Sequence, residues 1–319
     1  MNLYLGIDGG GTHTQAVLVD AGGHVRGKGY AGPSNYHNVG LVVATQHLRT
    51  AVDKAWAAAG QEMQPACAAF IGAAGVKAAV DVARITAAAE ATGLAQAGHV
   101  EVANDLANAL TGGLAGRPGI ALIAGTGTNC LGRDATGTSC MVGGWGWLLD
   151  DTGGGIGLTL GAMRVAVLSA DGLAPQTRLL PAILAFLGLS EPNELLARLY
   201  AQTWTPDELA GFAPVVTRLA EEGDRAALDV LREGARALAT LVARCARVLD
   251  FPKGPEVVLL GGCARSGPPY TPLIESAIRA AKSDVRLIAP AYTPLHGAAL
   301  NALRLGGISP LPAIIPGRQ

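Results

Sequence analysis

The 319-residue sequence predicts an α/β protein of two domains, each built on a mixed five-stranded sheet flanked by helices. Three observations carry this reading. The chain is too long for one ordinary hydrophobic core. It is 50% hydrophobic but only 4% aromatic, and its 44 glycines accompany abundant Ala, Val and Leu. That composition suits closely packed helices over buried parallel strands. Finally, the pattern strand, Gly/Thr turn, hairpin occurs twice, once at the start and again from Gly119.

Residues 3–7 (LYLGI) are a short apolar run ending in Asp8 and three glycines. Residues 14–19 form a second strand, and the turn Asp20–Gly23 leads to a third near Val25–Tyr30, so the opening is an antiparallel hairpin with one more strand. Residues 41–59 carry apolar side chains at helical spacing. Residues 68–72 and 99–103 read as buried strands with an Ala-rich helix over 77–92 between them, and a helix after Asp105 closes a βββαβαβ unit. In the second unit residues 120–123 are a strand that runs into Gly125-Thr126-Gly127-Thr128, and strands at 129–133 and 138–142 flank a turn at Asp134–Gly137. Helices are predicted over 154–170, 177–188, 192–202, 206–222 and 224–249. Strands follow at 256–260 and 285–289, then a helix at 295–304 and a Pro/Gly-rich tail. The Gly/Pro-rich break at Gly112–Gly119 divides the chain. The first domain is set at 1–115, rejoined by the helix at 295–304, and the second at 116–294.

The formal net charge of −1 provides no electrostatic footprint for nucleic acid or an anionic membrane. No apolar run reaches membrane-spanning length without Gly, Pro or a charge, and the start, MNLYLGIDGGG, does not read as a leader. The expectation is a cytoplasmic protein with a small-molecule partner. Five cysteines, none in a CxxC pair, read as free buried thiols, with Cys130 and Cys140 brought near each other on one hairpin.

Five motifs carry chemistry. In Gly6-Ile7-Asp8-Gly9-Gly10-Gly11-Thr12-His13-Thr14, the glycines let backbone N–H groups approach an anion, the threonines add hydroxyl donors, and Asp8 at the strand end suits Mg²⁺ held through water. An ordinary glycine-rich hairpin turn would look the same. Gly125-Thr126-Gly127-Thr128-Asn129 repeats the theme after a second strand, and two such loops, one from each domain, suit a phosphate held between them. The P-loop and dinucleotide fingerprints are missing. Asn104-Asp105 follows a buried strand. Asp105 reads either as the N-cap of the next helix or as a general base for a hydroxyl attacking phosphorus, and the flanking loops favour the base. In Gly143-Gly144-Trp145-Gly146 and Asp150–Gly155, Trp145 and Asp151 suit a sugar's face and hydroxyls; the alternative makes Trp145 and Trp147 core residues and Asp151 or Thr152 a helix cap. Gly261-Gly262-Cys263-Ala264-Arg265-Ser266-Gly267 lets a flat base approach the backbone, or is a plain strand-to-helix turn.

In this order the motifs resemble those of the sugar-kinase, hsp70 and actin superfamily, within it the N-acetylglucosamine kinase branch grouped with BadF/BadG-type ATPases. The runs GTGTNC (Gly125–Cys130) and GGWGWLLDDTG (Gly143–Gly153) are the most specific. The resemblance implies two actin-like (ribonuclease H-like) domains with a cleft between them, ATP and Mg²⁺ as cofactors, and a homodimer. It implies Asp8 at the metal, and Gly10, Gly11 and Thr12 at the first phosphate loop. It further implies Asn35 on the sugar, Asp105 as base, Thr126 and Gly127 at the second phosphate loop and sugar edge, Trp145 and Asp151 in the sugar site, and Gly262 and Ser266 at the nucleotide base. The implied activity is phosphorylation of N-acetylglucosamine at the C6 hydroxyl, with glucosamine second and N-acetylmuramic acid or glucose as further substrates. Two departures bear on the sugar. The strand at Phe70–Ala73 leads into Gly72-Ala73-Ala74-Gly75 in place of a Ser-Gly-Gly stretch, and Tyr36-His37 follows Asn35 in place of His-Trp. Two readings compete from other classes. An ATPase activator of a radical dehydratase would bind an iron–sulfur cluster through cysteines, which here are scattered. A sugar-sensing ROK regulator would carry a DNA-binding segment and a clustered-Cys zinc motif, and neither is visible.

Overall fold

Seven-residue strands joined by glycine turns, the first two largely apolar and the third alternating, start the chain as β1 (Leu3–Gly9), β2 (Thr14–Asp20) and β3 (Val25–Ala31). In the computed structural model, which describes residues 1–201 and 204–316, these are followed by α1 (Tyr36–Val39), α2 (Leu41–Ala58), β4 (Ala68–Ala73), α3 (Ala79–Ala91), β5 (Val100–Asn104) and α4 (Leu106–Gly113). Then come β6 (Gly119–Ala124), β7 (Thr128–Arg133), β8 (Ser139–Gly143), α5 (Gly155–Ala170), α6 (Leu179–Leu187), α7 (Glu194–Tyr200), α8 (Pro206–Ala210), α9 (Ala213–Glu221) and α10 (Arg225–Val248). The chain finishes with β9 (Glu256–Leu260), α11 (Tyr270–Ala281), β10 (Arg286–Ile288) and α12 (Pro294–Leu305). It divides into two units, Met1–Arg117 with Ala289–Gln319, and Pro118–Ile288.

The first unit's sheet has the order β3-β2-β1-β4-β5. The hairpin pairs are antiparallel, and β1–β4 and β4–β5 are parallel. β1 is buried along nearly its whole length because both faces of the sheet are covered. Leu5, Ile7 and Ile71 pack with Trp56 on one face, while Tyr4, Val17 and Phe70 pack with Leu300 and Leu303 of α12 on the other. α12 comes so close to β1 that a Cβ at Gly6 would lie 2.4 Å from the Ala299 amide nitrogen. The register sets Asp8 opposite Gly72, and Gly72 opposite Ala103, so Asp8 and the end of β5 lie at one edge with β4 between them.

The second unit repeats the plan with order β10-β9-β6-β7-β8; β6–β7 and β7–β8 are antiparallel, β6–β9 and β9–β10 parallel. Its longest helix, α10, is capped by Asp224, which accepts from the Ala227 amide at 2.9 Å, and buries Val230, Leu231, Leu238 and Val242. The helix read over 206–222 is in fact two, α8 and α9, broken at Gly211-Phe212, because Pro214 has no N–H with which to continue α8. The sequence reading missed α11, whose buried Tyr270, Ile274 and Ile278 recur every fourth residue behind a proline-rich start, and the single turn α1. The last residue of the helix read over 192–202 lies outside the described residues; α7 ends at Tyr200. All five cysteines are free, but only Cys130 and Cys245 are buried; Cys67, Cys140 and Cys263 are partly exposed, against the expectation of buried thiols. Cys130 and Cys140 are diagonal neighbours on the β7–β8 hairpin, and Cys245 of α10 meets both, with its Sγ 3.6 Å from the Cys130 Sγ and 3.3 Å from the Cys140 carbonyl.

Candidate active site

In the first unit β1 delivers Asp8 and β5 delivers Asn104 and Asp105. Asp105 begins α4 but makes no capping hydrogen bond; the Leu106 amide donates to Asn104 Oδ1 at 3.1 Å instead, and Asn104 Nδ2 donates to the Val76 carbonyl at 2.8 Å. Asp105 thus holds the N-cap position without a side-chain capping bond, and Asn104 takes the Leu106 amide in its place. Burial, with the Asp8 charge second, pushes the Asp105 carboxyl up to about 6. Burial likewise raises Asp8, against a hydrogen bond from Asn108. Two half-buried carboxylates that repel each other form a place for a proton or a cation. A Mg²⁺ fits that donor set. Among the described residues no three His, Cys, Asp or Glu side chains gather into a cage, and Mg²⁺ commonly takes one or two carboxylates, water and phosphate oxygens.

The loop after β1 is a tight turn in which the Gly10 amide donates to the His13 carbonyl at 2.9 Å. None of Gly9, Gly10 and Gly11 has a positive φ. Gly9 is needed for space, since a Cβ there would meet Ser34 Oγ at 2.6 Å, while Gly11 faces open space. Thr12 is exposed and shares a hydrogen bond with His13 Nδ1. Asn35 caps α1 by accepting from the His37 amide at 3.2 Å. Its Oδ1 abuts Gly75, whose carbonyl lies 3.2 Å from His37 Nε2, so Asn35 and His37 brace the Gly72–Gly75 loop.

In the second unit the loop after β6 carries Gly125–Thr128. Asp151, at a left-handed φ of 71°, fastens it: its Oδ1 accepts from the Thr128 amide at 2.5 Å and from the Thr128 hydroxyl at 3.1 Å. A Cβ at Gly127 would lie 2.8 Å from that carboxylate. Neither Asp151 nor Thr152 caps α5, whose N-cap is Gly154. Trp145 and Trp147 are not core residues; Trp145 is 73% exposed. The loop also borders a cavity of about 610 Å³, lined among others by Gly125, Thr126, Gly155, Asp207, Gly262 and Ser266. Gly262 faces open space, and Ser266 donates to the Cys263 carbonyl at 2.9 Å. Burial pushes the Cys263 thiol up to about 11, so it stands in the cavity wall as an unreactive thiol. The sequence reading missed Asp207, which accepts from the Thr126 hydroxyl at 2.6 Å. The structure thus groups Asp8 and Asp105 in one unit, and Thr126, Gly127, Asp151, Gly262 and Ser266 in the other.

A family model described as the BadF/BadG/BcrA/BcrD ATPase family matches residues 5–302. The N-acetylmuramic acid/N-acetylglucosamine kinase of Clostridium acetobutylicum is 31% identical over 262 residues, 82% of this chain and 85% of that protein. The N-acetyl-D-glucosamine kinase of Dictyostelium discoideum is 27% identical over 314 residues, 94% of this chain and 98% of that protein. Among solved structures, a Chromobacterium violaceum protein provisionally described as an N-acetylglucosamine kinase superposes with a TM-score of 0.72 at 26% identity, over 95% of this chain and 99% of that one. The two mixed five-stranded sheets are those of the actin-like sugar-kinase fold.

Proposed function

The chain belongs to the BadF/BadG/BcrA/BcrD ATPase family, and from that premise we propose that it is an ATP-dependent sugar kinase. Its substrate is an amino sugar, N-acetylglucosamine first and glucosamine second, phosphorylated on the C6 hydroxyl. The names of the related kinases support the substrate class. The observation that carries the chemistry is the pair of half-buried carboxylates, Asp8 at the end of β1 and Asp105 after β5, with Asp105 pushed up to about 6.

A base of that strength is ionised at neutral pH yet still basic enough to draw a proton from a hydroxyl as its oxygen attacks phosphorus. Asp105 takes that proton. Phosphate contacts fall to the exposed Gly11 and Thr12 in the first unit, with Gly10 shaping that turn through its amide bond to the His13 carbonyl, and to Thr126 and Gly127 in the second, where Gly262 and Ser266 border the base and ribose. Asn35, Trp145 and Asp151 receive the sugar, Asp151 through whatever acceptor capacity Thr128 leaves it. Bound through Asp8, Mg²⁺ would neutralise charge on the phosphates. The small Ala74 and Gly75, with Gly75 against Asn35, leave room for an acetamido group at C2. The free thiols and the lack of a membrane-crossing helix among the described residues accord with a cytoplasmic setting.

The test is ADP release by the pure protein with N-acetylglucosamine, glucosamine, N-acetylmuramic acid and glucose, with the phosphorylated carbon identified by NMR. A higher kcat/KM for glucose than for both amino sugars would refute the amino-sugar assignment and leave the kinase. ATP turnover indifferent to every sugar would refute the kinase.

A further inference from the structure

We propose that Asn108 is a positioning residue that aims the Asp8 carboxylate at the metal-bound nucleotide; this rests on the reading of Asp8 as the Mg²⁺-side residue. Asn108 lies on α4, one turn beyond Asp105, and its side chain is completely buried. Its Nδ2 donates to Asp8 Oδ1 at 2.9 Å and to the Ile7 carbonyl at 3.1 Å. The amide therefore ties the first turn of the helix that carries Asp105 to the end of the strand that carries Asp8. Asp8 Oδ2 takes no hydrogen bond among the described residues and is left for a ligand.

Packing alone does not account for an asparagine here. Its own Oδ1 is buried without a partner, and an unpaired buried polar atom is destabilising. Leucine shares the γ-branched outline, though it is bulkier, and carries no polar atom to leave unpaired. What leucine lacks is the donor. A lysine would donate too, but it would neutralise the charge that Asp8 offers to a cation; an aspartate would repel it. The site is also built to admit the amide. Gly72 lies on β4 between Asp8 and Ala103 in register, and a Cβ there would meet Asn108 Nδ2 at 2.2 Å and Cγ at 2.4 Å. Asn108 reaches β1 across β4 only because Gly72 has no side chain.

The experiment compares wild type, Asn108→Leu and Asp8→Asn. It measures ATP affinity by calorimetry with Mg²⁺ and with EDTA, the Mg²⁺ dependence of kcat and KM, and Tm. In Asn108→Leu, Tm serves to show that the variant folds; metal-free ATP affinity stays within about twofold, while the Mg²⁺ advantage in affinity falls about tenfold, the scale of one hydrogen bond to a charged group. A full Mg²⁺ advantage in Asn108→Leu overturns the proposal and makes Asn108 a packing residue. An equal loss of affinity with and without Mg²⁺ overturns it too. If Asp8→Asn keeps the Mg²⁺ advantage, the reading of Asp8 itself fails, whatever Asn108→Leu does. Should Asn108→Leu not fold, Asn108→Ala, which only removes atoms, is read in its place against the same outcomes.

Discussion

Replacing Asp105 with Asn should make the protein more stable and nearly inactive. The Asp105 carboxyl moves from its ordinary value of 3.8 to about 6, through burial first and the Asp8 charge second. Each tenfold step in acidity corresponds to about 1.4 kcal/mol, so the ionised carboxylate costs the folded state up to about 3 kcal/mol. A raised carboxyl pKa means that the folded protein holds the proton more tightly than the unfolded chain. The cost is therefore absent below about pH 3.8, grows between 3.8 and 6, and is complete above 6. Asn has the same shape without the charge, and it loses no cap, because Asn104 takes the Leu106 amide. Urea denaturation at pH 7.5 should show Asp105→Asn more stable by up to about 3 kcal/mol, with the gain shrinking as pH falls through 6. Sugar phosphorylation should fall by at least ~10²-fold with sugar binding largely retained. In the wild type, log kcat/KM should fall below about pH 6 as the base is protonated. A variant destabilised at pH 7.5, a gain that ignores pH, or retained turnover would each refute this account of Asp105.

Three further substitutions probe the two units. Gly6→Ala forces a Cβ to within 2.4 Å of the α12 backbone, and neither strand nor helix can yield cheaply. A loss of about 3 kcal/mol, or failure to fold, is expected, whereas Gly11→Ala, which meets nothing within 4 Å, should leave Tm nearly unchanged. Asp151→Ala removes both bonds to Thr128 and leaves a side chain at a left-handed φ; thermal denaturation should show a loss of about 2 kcal/mol. Asp151→Asn keeps an acceptor and tolerates that φ, so it should lose less, and equal losses would refute the fastening role. Asp207→Ala frees the Thr126 hydroxyl and removes a carboxylate from the cavity. ATP should bind more tightly by about fivefold, the scale of one hydrogen bond, and weaker binding in calorimetry would instead make Asp207 a nucleotide contact.

The fold was readable where local pattern and tertiary burial agree. β1, β4, β6 and β9 are apolar runs bounded by glycine, and each lies inside a sheet covered on both faces. α11 was missed because its apolar period begins in a proline-rich segment that reads as loop, while its burial against α10 is decided by residues far away in sequence. α8 and α9 merged for the opposite reason: their apolar residues continue one period across a break that a single proline enforces.

The candidate site divides along the same line. Asp8, Asp105 and Thr126 end strands, a position that the sequence displays directly. Their partners are not displayed. Asp207 reaches Thr126 from 81 residues away, and Asn108 reaches Asp8 from 100. A glycine is visible in a sequence, but the atom that needs its missing Cβ is not. Gly72 looked like a departure from a sugar-contacting stretch, yet the space above it is filled by the Asn108 amide. Its consequence for sugar choice is therefore indirect. A serine at that position would first displace Asn108 from Asp8, so exchanging this loop to alter the sugar would disturb the carboxylate pair before it changed the pocket.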